Sequence, residues 1–296
     1  MGSSRFFERI TLTYVSGNPA FQRLQLLTGE RTLEMLANTN VIVFGIGGVG
    51  SWCAEALIRS GIGKLTIVDS DVICVTNINR QIQATMDSIG KPKTSELGKR
   101  LRSIQPHAEI IEIQAVFNKT TAQSFNLSAF DYVIDCIDSL SSKVELIIRA
   151  TQAGATLYSA LGASCKLDPL RITVGSLWES YNCPLGKFVR KKLRQRGFTE
   201  EVTCVYSPEE AAPPAGTVTC GSGACHCPKF ITRGQGNDAD STEWCSTKKQ
   251  INGSAVHITG IFGFMLAGLV VQDIVKRAQG LSNENSKIIT GPAAKV

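Results

Sequence analysis

No two cysteines in this chain are separated by two residues, so the C-x-x-C hooks that build thiolate zinc sites and redox pairs are missing. Nor does any cysteine stand in an evident Ser/His or Cys/His arrangement, which leaves no candidate for a covalent thioester nucleophile. A secretory leader pattern is lacking too, and the ten cysteines are expected as reduced thiols of a cytoplasmic protein rather than as a disulfide framework. The opening Met1-Gly2-Ser3-Ser4 has Phe6 where a myristoylation signal needs Ser or Thr. Internal repeats and low-complexity tracts are absent, and so is any apolar run of the ~20 residues that cross a bilayer. The nearest approach, residues 255–271, contains His257 and several glycines and runs into Gln272-Asp273; it is expected as a buried helix, with no membrane span. Charge of one sign is not in large excess. Lys and Arg number 31 against 25 Asp and Glu, a net +6 that admits an anionic macromolecular partner without specifying one.

What the chain does have is apolar content of 43% over 296 residues, enough to bury one large α/β core. It also has the string Gly45-Ile-Gly-Gly-Val-Gly50, directly after the apolar run Val41-Ile-Val-Phe44 and directly before a helical pattern over 51–60. A buried strand feeding a glycine turn into a helix N-terminus makes a phosphate cradle, because Gly45, Gly47, Gly48 and Gly50, with Val49, let backbone N–H groups approach an anion. A second apolar run, 64–68, ends in Asp69, where a carboxylate can hold ribose hydroxyls. Alone, this is the dinucleotide fingerprint of a nicotinamide or flavin oxidoreductase. The next residues oppose that reading: Asp71, Thr76, Asn77, Asn79, Arg80 and Gln81 follow, and Lys93 opens the next helix. Two cations and several amides beside a phosphate cradle suit a triphosphate and its negatively charged transition state, not hydride transfer.

Apolar runs at 39–45, 64–69, 109–116, 132–136 and 156–160 alternate with helical patterns near 48–60, 88–104, 120–127 and 140–153. Such alternation predicts an α/β, Rossmann-like, doubly wound and mainly parallel sheet with helices on both faces, elaborated at its C-terminal end, and a ligand at the carboxyl ends of the strands. The predicted organisation is an N-terminal arm over 1–30, a nucleotide-binding core over 31–168, a continuation over 169–280 and a tail over 281–296. The continuation holds a strand near 171–177, a basic helix over 184–196, a strand over 202–206 and a Gly/Ser/Cys/Asp-rich loop over 219–252.

The ordered set of motifs resembles the adenylating enzymes of the ubiquitin-activating, ThiF and MoeB type. It comprises the glycine string, Asp69, Asn77-Ile-Asn79-Arg80-Gln81, Lys93 and Val133-Ile-Asp-Cys-Ile-Asp138. Within that superfamily, the runs Gly61 to Asp71 and Cys74 to Ile82, with later segments such as Val202-Thr-Cys-Val-Tyr-Ser207, are most similar to the tRNA threonylcarbamoyladenosine dehydratases. The resemblance implies ATP and Mg2+ as cofactors, a tRNA bearing threonylcarbamoyladenosine as substrate, and a homodimer in which an N-terminal arginine, Arg9 or Arg23, reaches the partner's site. It also implies an association with cysteine desulfurase or sulfur-acceptor proteins, and a mitochondrial-surface location as the alternative for a eukaryotic version. Activation of a ubiquitin-like or sulfur-carrier protein's C-terminus is the rival activity.

Asp138, just past the end of a core strand, is the first candidate for holding Mg2+ between phosphates; Asp135, two strand positions back from Ile137, competes, and Asp138 or Ser139 can equally cap the following helix. Arg80 and Lys93 are expected to clamp phosphates with help from Gln81, while Asn77 and Asn79 shape the loop. The run Lys187, Arg190, Lys191, Lys192, Arg194 and Arg196 is a candidate tRNA face, opposite an apolar stripe of Phe188, Val189 and Leu193. Cys220, Cys225, Cys227 and Cys245 raise the question of zinc, but their spacing favours unmetallated loop thiols.

Overall fold

The computed structural model describes residues 17–213, 215–216 and 252–281. Arg9, the four clustered cysteines, nearly all of the 219–252 loop and the tail beyond residue 281 therefore lie outside the described residues.

Seven strands form one sheet in the order β3-β2-β1-β4-β5-β7-β6. They are β1 Asn40–Phe44, β2 Lys64–Val68, β3 Glu109–Ile113, β4 Tyr132–Asp135, β5 Thr156–Ala160, β6 Thr173–Ser176 and β7 Thr203–Tyr206. All neighbours pair parallel except β6, which runs antiparallel to β7 at the edge. The five core strands thus fall where the apolar runs predict them, and β6 and β7 of the continuation extend the same sheet.

Helices α1 Gln22–Thr28, α2 Glu30–Asn38, α3 Gly50–Arg59, α4 Lys93–Ile104, α5 Leu140–Gln152, α6 Pro184–Gln195 and α7 Val256–Ala278 cover it. The central strands read as unbroken apolar runs because both faces are buried. On β1, Val41 and Val43 pack with Leu33, Leu57, Ile58, Phe262 and Leu266, while Ile42 and Phe44 face Phe117, Leu127, Val133 and Leu146 on the opposite side. A third cluster, with Val144 and Ile147 of α5 against Val189 and Leu193 of α6, closes the continuation onto the sheet.

Two expectations fail. The helical pattern at 120–127 resolves into two single 3-10 turns, Ala122–Ser124 and Leu127–Ala129. Its Asn, Thr and Ser side chains compete for the backbone: Asn118 Oδ1 accepts from the N–H groups of Thr120 and Thr121, and Thr121 Oγ1 donates to the Val116 carbonyl at 2.6 Å. Phe188 is not part of the stripe of α6 but 52% exposed, because burial follows Gly186, Val189 and Leu193, and Phe188 sits about 100° around the helix from Val189.

Helix α7 is long and apolar enough, by length and composition alone, to cross a membrane. Here Ile258, Phe262, Leu266, Val270 and Ile274 are buried in the core. Its glycines let it lie against α3, since a Cβ at Gly263 would stand 2.5 Å from the Val49 carbonyl oxygen and 2.8 Å from the Cys53 nitrogen. Near its C-terminus the buried Asp273 accepts a 2.6 Å hydrogen bond from the Tyr132 hydroxyl and pairs with Arg277 at 2.7 Å.

Candidate functional site

The strand order reverses between β1 and β4, and the residues that follow β1, β2 and β4 lie along one edge of the sheet, at the crevice where open α/β sheets take ligands. Gly45 leaves β1 with φ +80, its N–H donating to the Val68 carbonyl at 2.8 Å. A side chain at Gly45 would meet the Cys136 carbonyl at 2.8 Å, and one at Gly50 would collide with the Gly45 carbonyl, so both positions need glycine for the turn itself. Gly48 has a different reason. A Cβ at Gly48 would stand 3.2 Å from the Arg80 side chain and from Thr259, whereas one at Gly47 would make only ordinary contact, 3.8 Å from Gln81 Nε2. Val49 at the cap position of α3 offers no side-chain acceptor to the helix end, which favours an anion.

Asp69 knits this loop together. Its Oδ2 accepts from the Ile46 N–H and its Oδ1 from the Asp71 N–H, each at 2.9 Å, with a further lone pair on each oxygen for a hydroxyl. Lys93, buried at the start of α4, lies 2.8 Å from Asp71 and 3.6 Å from Asp69. Burial pushes the Asp69 carboxyl above its ordinary pKa, and the Lys93 charge opposes this only in part. For Lys93, burial disfavours the ammonium, but Asp69, Asp71 and Asp138 together outweigh it and hold the pKa above the usual lysine value. Arg80 is lowered by burial, with Asp138 opposing. Lys93 and Arg80 therefore both feel Asp138, an exposed carboxylate just beyond β4.

The structure separates the two competing aspartates. Asp135 is fully buried, paired with Lys143 at 2.6 Å, and accepts from Ser159 Oγ at 2.6 Å and from the Ile137 N–H at 3.1 Å. Asp138 stands at the surface of the crevice. Ser139 occupies the cap position of α5, but its side chain makes no capping bond. Asn77 and Asn79 shape the loop as expected: Asn77 Oδ1 accepts from the Cys74 N–H, and Asn79 Nδ2 donates to the Ser254 carbonyl. Thr76 contributes through its carbonyl, which accepts from Arg80 Nη1 at 2.9 Å.

Whether a nucleotide fits can be judged from Gln81. Its side chain is buried against the glycine loop, and its Oε1 has no hydrogen-bond partner among the described residues. A buried acceptor left without a donor is costly unless a bound molecule or its water supplies one. With the uncapped helix, two cations and an exposed carboxylate, the residues suit a nucleoside triphosphate with a divalent ion.

Sequence reasoning missed several supports. Trp52 Nε1 donates to the Arg80 carbonyl at 2.9 Å, Gln83 Nε2 donates to the Ile46 carbonyl at 2.8 Å, and Thr259 stands beside Gly48, 3.2 Å from where a Cβ would lie. Gln83 stood two residues past Gln81 in the same string; nothing local marked Trp52 or Thr259.

The basic helix is less uniformly charged at its surface than its sequence. Arg190 is half-buried and donates to the Leu177 carbonyl at 3.2 Å and to Ser180 Oγ, Arg194 lies over the Trp178 ring at 5.3 Å, and Arg196 pairs with Glu145 at 2.8 Å. Lys187, Lys191 and Lys192 are exposed and make no ion pair among the described residues.

Residues 21–291 match the ThiF family. The tRNA threonylcarbamoyladenosine dehydratase of Bacillus subtilis is 32% identical over 256 residues, 86% of this chain and 94% of that one. Among solved structures, Escherichia coli tRNA N6-threonylcarbamoyladenosine dehydratase in complex with ATP superposes with a TM-score of 0.74 at 29% identity, covering 89% of this chain and 96% of that one. The same enzyme in complex with AMP matches with the same TM-score and identity, over 90% and 99%.

Proposed function

This chain belongs to the ThiF family, and from that premise we propose that it is an ATP-dependent tRNA threonylcarbamoyladenosine dehydratase. It adenylates the threonyl carboxylate of the modified nucleoside with release of pyrophosphate, and the activated carbonyl then cyclises with loss of AMP, so that the nucleoside has lost the elements of one water overall. The observation that carries the reading is the gathering of Arg80, Lys93 and Asp138 around a glycine cradle at one edge of the sheet, in a chain that covers its dehydratase relative almost end to end.

A carboxylate is a poor electrophile because its leaving group would be oxide, and AMP transfer makes that group a good one. The glycine loop and the N-terminus of α3 bind and orient the phosphates. Lys93, kept protonated by its three acidic neighbours, and Arg80, pressed against Gly48, stabilise the charge that develops on them. Asp138 is the residue that would hold Mg2+, an ion whose charge neutralises phosphate oxygens in such chemistry. The carbamoyl group on the same threonyl moiety is then positioned to attack the activated carbonyl, so closure is intramolecular and requires no protein thiol.

The tRNA is held by the exposed Lys187, Lys191 and Lys192 of α6, with Arg194 at the edge of the face. The protein acts as a homodimer, with Arg23 of α1 reaching the partner's site. Exposure of Leu26 and Leu27 at 83% and 81% beside Arg23 supports α1 as a contact. The test is incubation with ATP and tRNA bearing the modified nucleoside, followed by nucleoside mass spectrometry. Loss of one water only when ATP is present is expected. An unchanged nucleoside, with adenylation of a carrier protein's C-terminus instead, would hand the function to the rival reading.

A further inference from the structure

Behind the exposed Asp138 lies a charged cluster that the proposed chemistry does not use. Lys143 is completely buried one turn into α5, and its ammonium donates to Asp135 Oδ2 at 2.6 Å, to the Ala160 carbonyl at 2.9 Å and to Ser159 Oγ at 3.4 Å. Ser159 Oγ donates in turn to Asp135 Oδ2 at 2.6 Å. The cluster binds the ends of β4 and β5 to the first turn of α5. It reaches toward the crevice through the other carboxylate oxygen, Asp135 Oδ1, which accepts from the Ile137 N–H at 3.1 Å. Ile137 directly precedes Asp138.

From this geometry we infer that Lys143 is a positioning residue for the metal step: it locks Asp135, Asp135 locks the Ile137 peptide, and the turn 136–138 is thereby held so that Asp138 presents its carboxylate at one place. The inference rests on the reading of Asp138 as the metal-holding residue. A buried ion pair is a poor way to gain stability alone, since apolar residues of similar volume do as well or better, so its place at the root of the metal-bearing turn has a different use. A carboxylate on a loop is precise only when the groups behind it are fixed. Because Lys143 contacts both strand ends, it holds the turn against the sheet rather than against the helix alone.

The test uses Lys143→Met, with Ser159→Ala as the milder variant, since it removes one hydrogen bond to Asp135 and keeps the ion pair. Mn2+ is the probe, titrated in the presence of a non-hydrolysable ATP analogue and followed by electron paramagnetic resonance. Nucleotide binding in EDTA and the thermal midpoint are measured alongside. Lys143→Met is expected to weaken Mn2+ binding by about tenfold or more, the range seen when groups behind metal ligands are removed. Nucleotide binding in EDTA should change by less than about twofold, because the glycine loop lies on other elements. Ser159→Ala should shift Mn2+ binding in the same direction by a smaller factor. A folded Lys143→Met protein with unaltered Mn2+ binding overturns the inference; if that variant does not fold, unaltered binding in Ser159→Ala does so. Asp138→Asn is the reference: normal Mn2+ binding there refutes the metal role of Asp138 itself, a failure of the underlying reading and distinguishable from the first.

Discussion

Replacing Lys93 with Met removes a cation from the most tightly bound charge group of the site while nearly keeping its volume. Asp69 is left with an 11% exposed side chain and no paired cation among the described residues, whereas Asp71, at 46%, is solvated and loses little. Only the Asp69 half of the pair therefore counts fully. Stranding a buried charge costs about 3 kcal/mol, the lower end of the range for a broken buried pair, and about 6 °C in the midpoint of a domain this large. The pH dependence follows from the directions of the shifts. Asp69 has a raised folded-state pKa, so the folded form binds its proton more tightly than the unfolded chain does, and stability falls as pH rises through that value. Without Lys93 the shift grows, so the deficit of the variant is largest above the Asp69 pKa and shrinks in acid, where the carboxyl is neutral. The Lys93 contribution itself is complete below the ordinary lysine pKa of about 10.4 and is lost as pH rises through its raised folded value. Urea unfolding at about pH 8 and about pH 5 reads the Asp69 effect, with the Lys93 ammonium intact at both, and the difference between wild type and variant should be clearly smaller at the lower pH. A deficit below about 1 kcal/mol, or one equal at the two pH values, would refute the account of Lys93 as the counter-charge of a buried Asp69.

Asp138→Ala should abolish AMP formation while shifting the unfolding midpoint by less than about 1 kcal/mol, because the side chain is exposed; activity near wild type would remove it from the site. Gly263→Ala should destabilise by about 1–3 kcal/mol, since the new methyl meets the Val49 carbonyl and the Cys53 nitrogen and pushes α7 off α3. A neutral effect in calorimetry would show that the two helices are not in register there. Changing Lys187, Lys191 and Lys192 to Glu should weaken tRNA binding and flatten its salt dependence, leaving ATP binding intact; an unchanged slope would place the tRNA elsewhere. Mixing Arg23→Ala chains with Asp138→Ala chains should restore some activity if a dimer shares its sites, and none if each chain works alone.

The strands and the glycine turn were legible in the sequence because their causes are local. An apolar run buried on both faces and a turn that only glycine can make leave marks within a few residues, as β1 and Gly45 to Gly50 do. The order of Asp69, Arg80, Lys93 and Asp138 after that turn likewise pointed to one place in the fold, since parallel strands return them to the same edge. The tertiary structure decided what depends on partners distant in sequence. Asp135 and Asp138 are the same residue type three positions apart, and only Lys143 and Ser159, brought in by α5 and β5, commit the first to the interior. Arg190, Arg194 and Arg196 look like a single charged face until Ser180, Trp178 and Glu145 fold against them. The loop is tied to the segment that opens the chain's last described helix, where the Ser254 carbonyl accepts from Asn79 across 175 residues and Thr259 comes up beside Gly48. Periodicity records which face of an element is apolar, but not which distant side chain will meet it, and that is why the loop motifs could be read early while their supports could not.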